Sequence, residues 1–401
     1  MNAFQKLWCR TFQTVMKYAS AVLPWREPEI LDLNGGTHGL GAFVKTKGYK
    51  KVFVVTGPNV YKRGLADELI KGLEENGVPY ALFNRVVNNP TIDNIEEAFA
   101  LYRSEGCDAI IALGGGSPMD LAKVVGARAA KPNKPVKKMK GLLKIMKRIP
   151  DLYAIPTTAG SGSETTLAAV VSDSVTHEKY PINDLSIIPR YAILDPRLTT
   201  ALPPQTTATT GMDALTHAVE AYIGRSNTKK TKESAEKAVK LIFDNLLTAY
   251  EHGDDLEARR NMQTASYYAG VAFTRAYVGY VHALAHALGG FYGTPHGLAN
   301  SVLLPVVLEY YGESAHKPLA RLAEIVGICS EGDDDAAKAT KFIEKIKEMN
   351  AAMLIPSVID GIDPKDVPEM AKRAAAEGNP LYPVPRLLGA DELEKIYGLI
   401  M

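Results

Sequence analysis

Asp213 and His217 stand four residues apart in GMDALTHAVEAY, and His282 and His286 repeat that spacing in YVHALAHALGGFY. An i, i+4 pair on a helix shares one face, so each pair can aim two side chains at one atom. His296 follows directly after Pro295, where the chain turns. Three of the eight histidines thus crowd into the stretch from Tyr280 to Asn300. Taken singly, each of these groups reads as an ordinary core or surface residue. Taken together, one carboxylate and several imidazoles suit Fe(II), with Zn(II) as the alternative, and no thiolate is placed to compete. Four ligands drawn from these five groups leave one histidine for proton transfer.

A second chemistry sits in ALGGGSPMDLAK. Gly114, Gly115 and Gly116 end an apolar run; Ser117 is placed to N-cap the next helix, Pro118 suits its first position, and Asp120 pairs with Ser117 at capping-box spacing. Bare glycine amides at a helix N-terminus bind phosphate. A tight structural turn explains the same string, which is neither G-x-G-x-x-G nor a P-loop. PTTAGSGSE, Pro156 to Glu164, adds another loop rich in hydroxyls and amides. Two such loops suit a dinucleotide. VFVVTG ends in Gly57, where many dinucleotide sites place an acid for the adenosine ribose; here Asn59, Lys62 and Arg63 follow, and no acid comes before Asp67. That pattern favours NADP(H) over NAD(H).

These groups need a frame. Residues 28–195 alternate apolar runs (KKVFVVTG, VPYALFN, CDAIIALGGG, DLYAIP) with helical segments, which predicts a parallel sheet covered on both faces, ligands lying beyond the strands' carboxyl ends. Residues 196–401 carry helical periodicity instead, and LDPRLTTALPP, with its prolines, reads as the hinge. The fold class is therefore an α/β N-terminal domain with a Rossmann-like parallel sheet plus an all-α C-terminal domain. Residues 1–27 form an extension with Lys6, Arg10 and Lys17 and no acid before Glu27; they read as a helix packed on the body or on a partner subunit, or as a targeting segment. The acid-free basic run Lys131–Arg148 reads as a solvated connection.

At 401 residues, 46% hydrophobic and net charge +1, the chain exceeds a single core and shows no global charge for nucleic acid. No apolar run approaches the roughly 18 residues of a membrane span. Three scattered cysteines argue for a reducing, cytoplasmic setting.

GGGSPMDLAK, PTTAGSGSET, GMDALTHAVEAY and HALAHALGGFYGTPHGLANSVLLP together resemble the iron-containing (group III) alcohol dehydrogenases, from about residue 28 to the C-terminal region. The resemblance implies a dinucleotide domain, a helical domain and an active site in the cleft between them. It implies Asp213, His217, His282 and His296 as metal ligands, and His286 beside the nicotinamide as the proton carrier. It assigns the pyrophosphate to Gly115, Gly116 and Ser117, and the rest of the cofactor to Asn89, Asp120, Thr157, Thr158, Ser161 and Lys179, with Gly57 and Asn59 toward the adenosine end. The substrates implied are short-chain primary alcohols or diols and their aldehydes, handled by a homodimer or higher homo-oligomer.

FTRAYVGY departs from the family in bulk, which places Arg275, Tyr277 and Tyr280 near the substrate; Arg275 could receive a carboxylate, as in a semialdehyde acid, or form a surface ion pair. Sugar-phosphate cyclases of this architecture need several cations around the site, which the small apolar residues here do not supply. Glycerol-dehydrogenase-like relatives use one Asp and two His, and His217 argues against them. A non-enzymatic metal-binding paralogue is the remaining alternative.

Overall fold

In the computed structural model, which describes residues 1–174 and 178–401, the chain opens with helix α1 (Ala3–Ala21) and then divides into two compact units. One unit is Pro24–Thr200; the other joins Met1–Leu23 to Ala201–Met401. Of the extension expected as a separate segment, residues 1–23 thus fall with the helical unit and residues 24–27 with the α/β unit.

The α/β unit runs β1 (Glu29–Ile30), α2 (Leu40–Lys45), β2 (Val52–Thr56), α3 (Pro58–Lys62), α4 (Asp67–Glu75), β3 (Tyr80–Phe83), α5 (Ile92–Ser104), β4 (Ala109–Gly114), α6 (Gly116–Ala130), β5 (Gly141–Leu142), β6 (Asp151–Pro156), β7 (Ala168–Ser172), β8 (Lys179–Asn183) and β9 (Tyr191–Ala192). Six strands form a parallel sheet in the order β1-β9-β6-β4-β2-β3. β2 and β4 are buried at every residue, as strands covered on both faces must be, and their unbroken apolar runs follow from that. Register pairs Thr56 with Leu113 and Gly114 with Pro156, so three strands end in a row where the glycine and hydroxyl loops begin.

A small sheet, β5-β8-β7, was not foreseen. It absorbs part of the basic run, which is less solvated than expected. Val136, Met139 and Ile145 are buried, while Lys137 pairs with Asp173 at 2.7 Å and Lys140 with Glu178. The lysines face outward because the residues between them fill the core.

The helical unit continues with α7 (Pro204–Ile223), α8 (Lys229–Glu251), α9 (Leu256–Ala276), α10 (Tyr280–Tyr292), α11 (His296–Tyr311), α12 (Glu313–Val326), α13 (Asp335–Ala352), α14 (Val367–Gly378) and α15 (Ala390–Gly398). Their starts are set by local chemistry. Thr228, Asp255 and Asp334 accept backbone N–H groups at the first turns of α8, α9 and α13, and prolines open α7. Helix α1 docks with its polar side inward. Arg10 donates to the carbonyls of Val384 and Pro385, and Gln13 to those of Pro380 and Tyr382, while Phe4, Leu7, Trp8, Val15 and Tyr18 face outward. Among the described residues, no helix is long and apolar enough to cross a membrane.

Candidate active site

Helix α7 carries Asp213, His217 and Glu220 at i, i+4 and i+7, one buried face. α10 carries His282 and His286, and α11 begins at His296. Gly297 lets α11 start against α7: a Cβ there would lie 2.5 Å from the carbonyl oxygen of Thr209. The result is a cluster in which one ligand atom each from Asp213, His217, His282 and His296 lies within 4.8 Å of the others. Asp213 Oδ1 is 3.4 Å from His296 Nε2 and 3.9 Å from His282 Nε2. A tetrahedron of bonds near 2.1 Å has edges of about 3.4 Å, so the donors need only a small contraction around one ion.

Each donor is oriented by a neighbour. His282 Nδ1 lies 2.6 Å from Glu220 Oε2, and Glu220 also accepts the amides of Gly279 and Val281. A carboxylate already receiving two N–H groups is an acceptor for the third, so Nδ1 carries the proton and the Nε2 lone pair faces Asp213. Nε2 is buried and makes no hydrogen bond, so its lone pair is open to a metal ion. Burial pushes Glu220 up to about 7, against the lowering effect of those amides, and burial with the neighbouring imidazoles drives His282 well down, keeping it neutral. His217 stacks on Phe273, centroids 4.1 Å apart, and Asn300 Nδ2 bridges Asp213 Oδ1 at 2.7 Å and His296 Nε2 at 3.1 Å. One carboxylate and three imidazoles, with His282 neutral and aimed by Glu220, fit Fe(II) or Zn(II).

His286 stands apart. Its ring lies parallel to His296 at 5.2 Å, and its Nδ1 is 2.7 Å from Glu377 of α14.

In the α/β unit the loops also meet. Asn89 N donates to Ser117 Oγ, and Lys179 Nζ to Asn89 Oδ1 at 2.7 Å. A Cβ on Gly115 would come 3.5 Å from Thr158 Oγ1, and one on Gly116 3.9 Å from Ser161 Oγ, so these glycines form a cradle that a side chain would fill. Thr157 N donates to Gly114 O. Gly114 has φ +150° and must remain glycine, since a Cβ would meet Pro118 at 2.6 Å. Gly57 N-caps α3, which contains Asn59, and a Cβ there would find nothing nearer than 3.9 Å.

Three local expectations change. Ser117 does not cap α6: the helix starts two residues earlier than expected, at Gly116, with Gly115 as N-cap, so the serine hydroxyl is released to Asn89. Asp120 makes no capping pair. Its carboxylate accepts from Ser163 Oγ and Val170 N, and burial raises its pKa. Tyr280, expected beside substrate, is fully buried. Its hydroxyl donates to Asn379 and accepts from Leu388 N, because the first turn of α10 packs on Gly378. Arg275 lies in the last turn of α9, two residues from Phe273, and both Arg275 and Tyr277 are half-buried.

Sequence reasoning missed Glu220, Asn300, Phe273, Glu377 and Lys123. Glu220 had a signal in its i+7 spacing from Asp213, and Asn300 in its i+4 spacing from His296. Lys123 is buried, donates to Ser163, Thr166 and Ala168, and is lowered to about 8 by that burial. Glu377 lies 91 residues from its partner and gave no local sign.

Residues 28–196 match the family profile described as iron-containing alcohol dehydrogenase, and residues 207–401 match the C-terminal domain of the Fe-containing alcohol dehydrogenase family. The chain belongs to the iron-containing alcohol dehydrogenase family. It is 37% identical to the NAD-dependent methanol dehydrogenase of Bacillus methanolicus over 85% of this chain and 90% of that protein. It is 38% identical to the 1,3-propanediol dehydrogenase of Klebsiella pneumoniae over 87% and 91%. The lactaldehyde reductase of Escherichia coli is 33% identical over 86% and 92%. A crystal structure of a 1,3-propanediol oxidoreductase superposes with a TM-score of 0.90 at 35% identity, covering 95% of this chain and all of that one. The parallel sheet followed by a helical domain is thus the fold of this alcohol dehydrogenase family.

Proposed function

We propose that this iron-type alcohol dehydrogenase interconverts short-chain primary alcohols or diols and their aldehydes, with one divalent metal ion at Asp213, His217, His282 and His296 and a nicotinamide dinucleotide as hydride carrier. The observation that carries this reading is the convergence of those four donors, with His282 held neutral and aimed by Glu220. When bound, the metal polarises the substrate oxygen as a Lewis acid and the nicotinamide supplies or takes the hydride. Glu220 holds His282 in the ligating tautomer, and Asn300 braces Asp213, while its contact with His296 Nε2 would give way to the metal. His286, nearly half exposed, passes the proton between substrate oxygen and solvent. Gly115, Gly116, Ser117, Asn89, Thr157, Thr158, Ser161 and Lys179 hold the pyrophosphate and nicotinamide ribose, with Asp120 bracing their loops. Iron is the metal proposed, with zinc able to use the same donors.

The cofactor proposed is NADP(H) in preference to NAD(H). Gly57 leaves open space where an acid would repel a 2′-phosphate, although the Bacillus methanolicus relative is named for NAD. The three cysteines are free, in keeping with a reducing, cytoplasmic setting, and a homodimer or higher homo-oligomer is proposed from the family resemblance.

Reduction of butanal by metal-reloaded protein with NADPH and NADH side by side tests the reading. Metal-dependent turnover favouring NADPH by about tenfold, 1.4 kcal/mol, supports it. Turnover favouring NADH sinks the cofactor preference alone. Absence of turnover with a panel of short aldehydes overturns the activity. Half-buried Arg275 near Phe273 favours one second reading, an aldehyde that carries a carboxylate, and a semialdehyde acid in the same panel decides it.

A further inference from the structure

His286 meets Glu377, which the metal cluster does not use, at its Nδ1 and the ring of His296 on its face. Glu377 Oε1 lies 2.7 Å from its Nδ1, and the same oxygen accepts the hydroxyl of Tyr382 at 2.7 Å. Two donors on one oxygen fix the carboxylate's rotamer, and Tyr382 is itself buried. The backbone of Tyr382 is anchored in turn: its amide donates to Gly378 O, and its carbonyl accepts from the buried Gln13 of α1. The parallel ring of His296 restrains the plane of the imidazole. An ionised carboxylate can only accept, so Nδ1 must be the protonated nitrogen and Nε2 the one with a lone pair. The Tyr382 hydroxyl donates to the same Oε1, which marks that oxygen as an acceptor facing Nδ1.

We propose that Glu377, oriented by Tyr382, is a positioning residue for His286: it fixes the proton on Nδ1 and leaves Nε2 as the atom that exchanges a proton with the substrate oxygen. This rests on the reading of His286 as the proton carrier. In aldehyde reduction the hydride goes to the carbonyl carbon and the proton on Nε2 of the imidazolium goes to the oxygen. His286 is left neutral with its Nδ1–H intact, Glu377 stays ionised throughout, and solvent returns a proton to Nε2. Alcohol oxidation runs these transfers backward. A plain surface ion pair would not need a second, buried donor on the same oxygen. With it, the Tyr–Glu–His chain follows the logic by which a buried carboxylate sets an imidazole's tautomer in hydrolytic triads.

The test uses metal-loaded protein and the substitutions Glu377→Gln, Glu377→Asp and Tyr382→Phe, each also on a His286→Ala background. Glu377→Gln is expected to lower kcat by about 10- to 100-fold, within the range of a general acid–base contribution, with bound metal and the KM for butanal changed less than about twofold. Glu377→Asp recovers part of the loss, Tyr382→Phe costs less, and Glu377→Gln adds nothing once His286 is alanine. Nitrogen-15 NMR of the zinc-loaded protein should show neutral His286 protonated at Nδ1, and that tautomer should be lost in Glu377→Gln. Wild-type kcat in Glu377→Gln, an equal loss on the His286→Ala background, or an Nε2–H tautomer in the wild type overturns the proposal. If the wild type turns over no alcohol or aldehyde, the functional reading fails by itself, and the tautomer measurement still decides whether Glu377 sets the state of His286.

Discussion

Two imidazoles stand one turn apart on α10, and each meets a glutamate at Nδ1. The surroundings differ. The side chains of His282 and Glu220 are 3% and 1% exposed; those of His286 and Glu377 are 46% and 34% exposed. Burial makes the first pair rigid and keeps His282 neutral, with one lone pair facing Asp213. Exposure leaves the second pair in reach of water. A ligand must not change protonation during turnover, whereas a proton carrier must. On the proposed reading the same donor–acceptor pairing serves opposite purposes, and solvent access decides which.

The largest expected effect breaks the buried side outright. Asp213→Ala or His282→Ala should leave little bound metal and lower kcat about 10³-fold or more, since a lost Lewis acid removes several kcal/mol of transition-state stabilisation; metal analysis of the purified variants checks this. Glu220→Gln should be milder. The four donors remain, but His282 loses its anionic partner, and metal affinity should fall about 10- to 100-fold in a chelator competition while His286 keeps its tautomer.

A third carboxylate, buried like Glu220, sharpens the comparison by changing the partner. Asp195 is as buried as Glu220 but faces a cation: Arg197 binds both its oxygens, at 2.8 and 2.6 Å, and Thr37 donates twice. Burial alone would raise its pKa, yet these partners lower it to about 2, whereas Glu220, held by amides and an imidazole, rises to about 7. A depressed carboxylate stabilises the fold above its unfolded pKa near 4. About 2 kcal/mol should thus be lost as pH falls from about 4 to about 2. Denaturant titration of the metal-free protein across that range should show the loss, and Asp195→Asn should flatten it.

The smallest effect tests the exposed side from a distance. Gln13→Ala removes two bonds from α1 to the 380–382 segment and should cost about 1 kcal/mol. If α1 braces Tyr382, kcat falls modestly while metal affinity holds.

Much of this was legible in the sequence, for reasons that also explain the gaps. Asp213–His217 and His282–His286 could be read because helical spacing alone puts each pair on one face. The parallel sheet could be read because strands buried on both sides have unbroken apolar runs. The partners were harder to see. Glu220 shares the face of Asp213, but a glutamate on a helix is usually solvated, and only the fold shows it buried. Glu377 meets His286 through packing of α14 on α10, which no local pattern encodes. Ser117 looked like a cap because serine usually is one, yet Gly115 takes that place and leaves the hydroxyl to Asn89. Tyr280 looked like a pocket residue from its neighbours, although its hydroxyl is tied to Asn379 and Leu388 in the core.

The most direct test of the account is a titration of metal-stripped protein with Fe(II), and separately Zn(II), following bound metal and butanal reduction in the same samples. The account predicts that the two rise together and level off at one ion per chain. Turnover in the metal-free protein, or full occupancy of the four ligands without turnover, would contradict it.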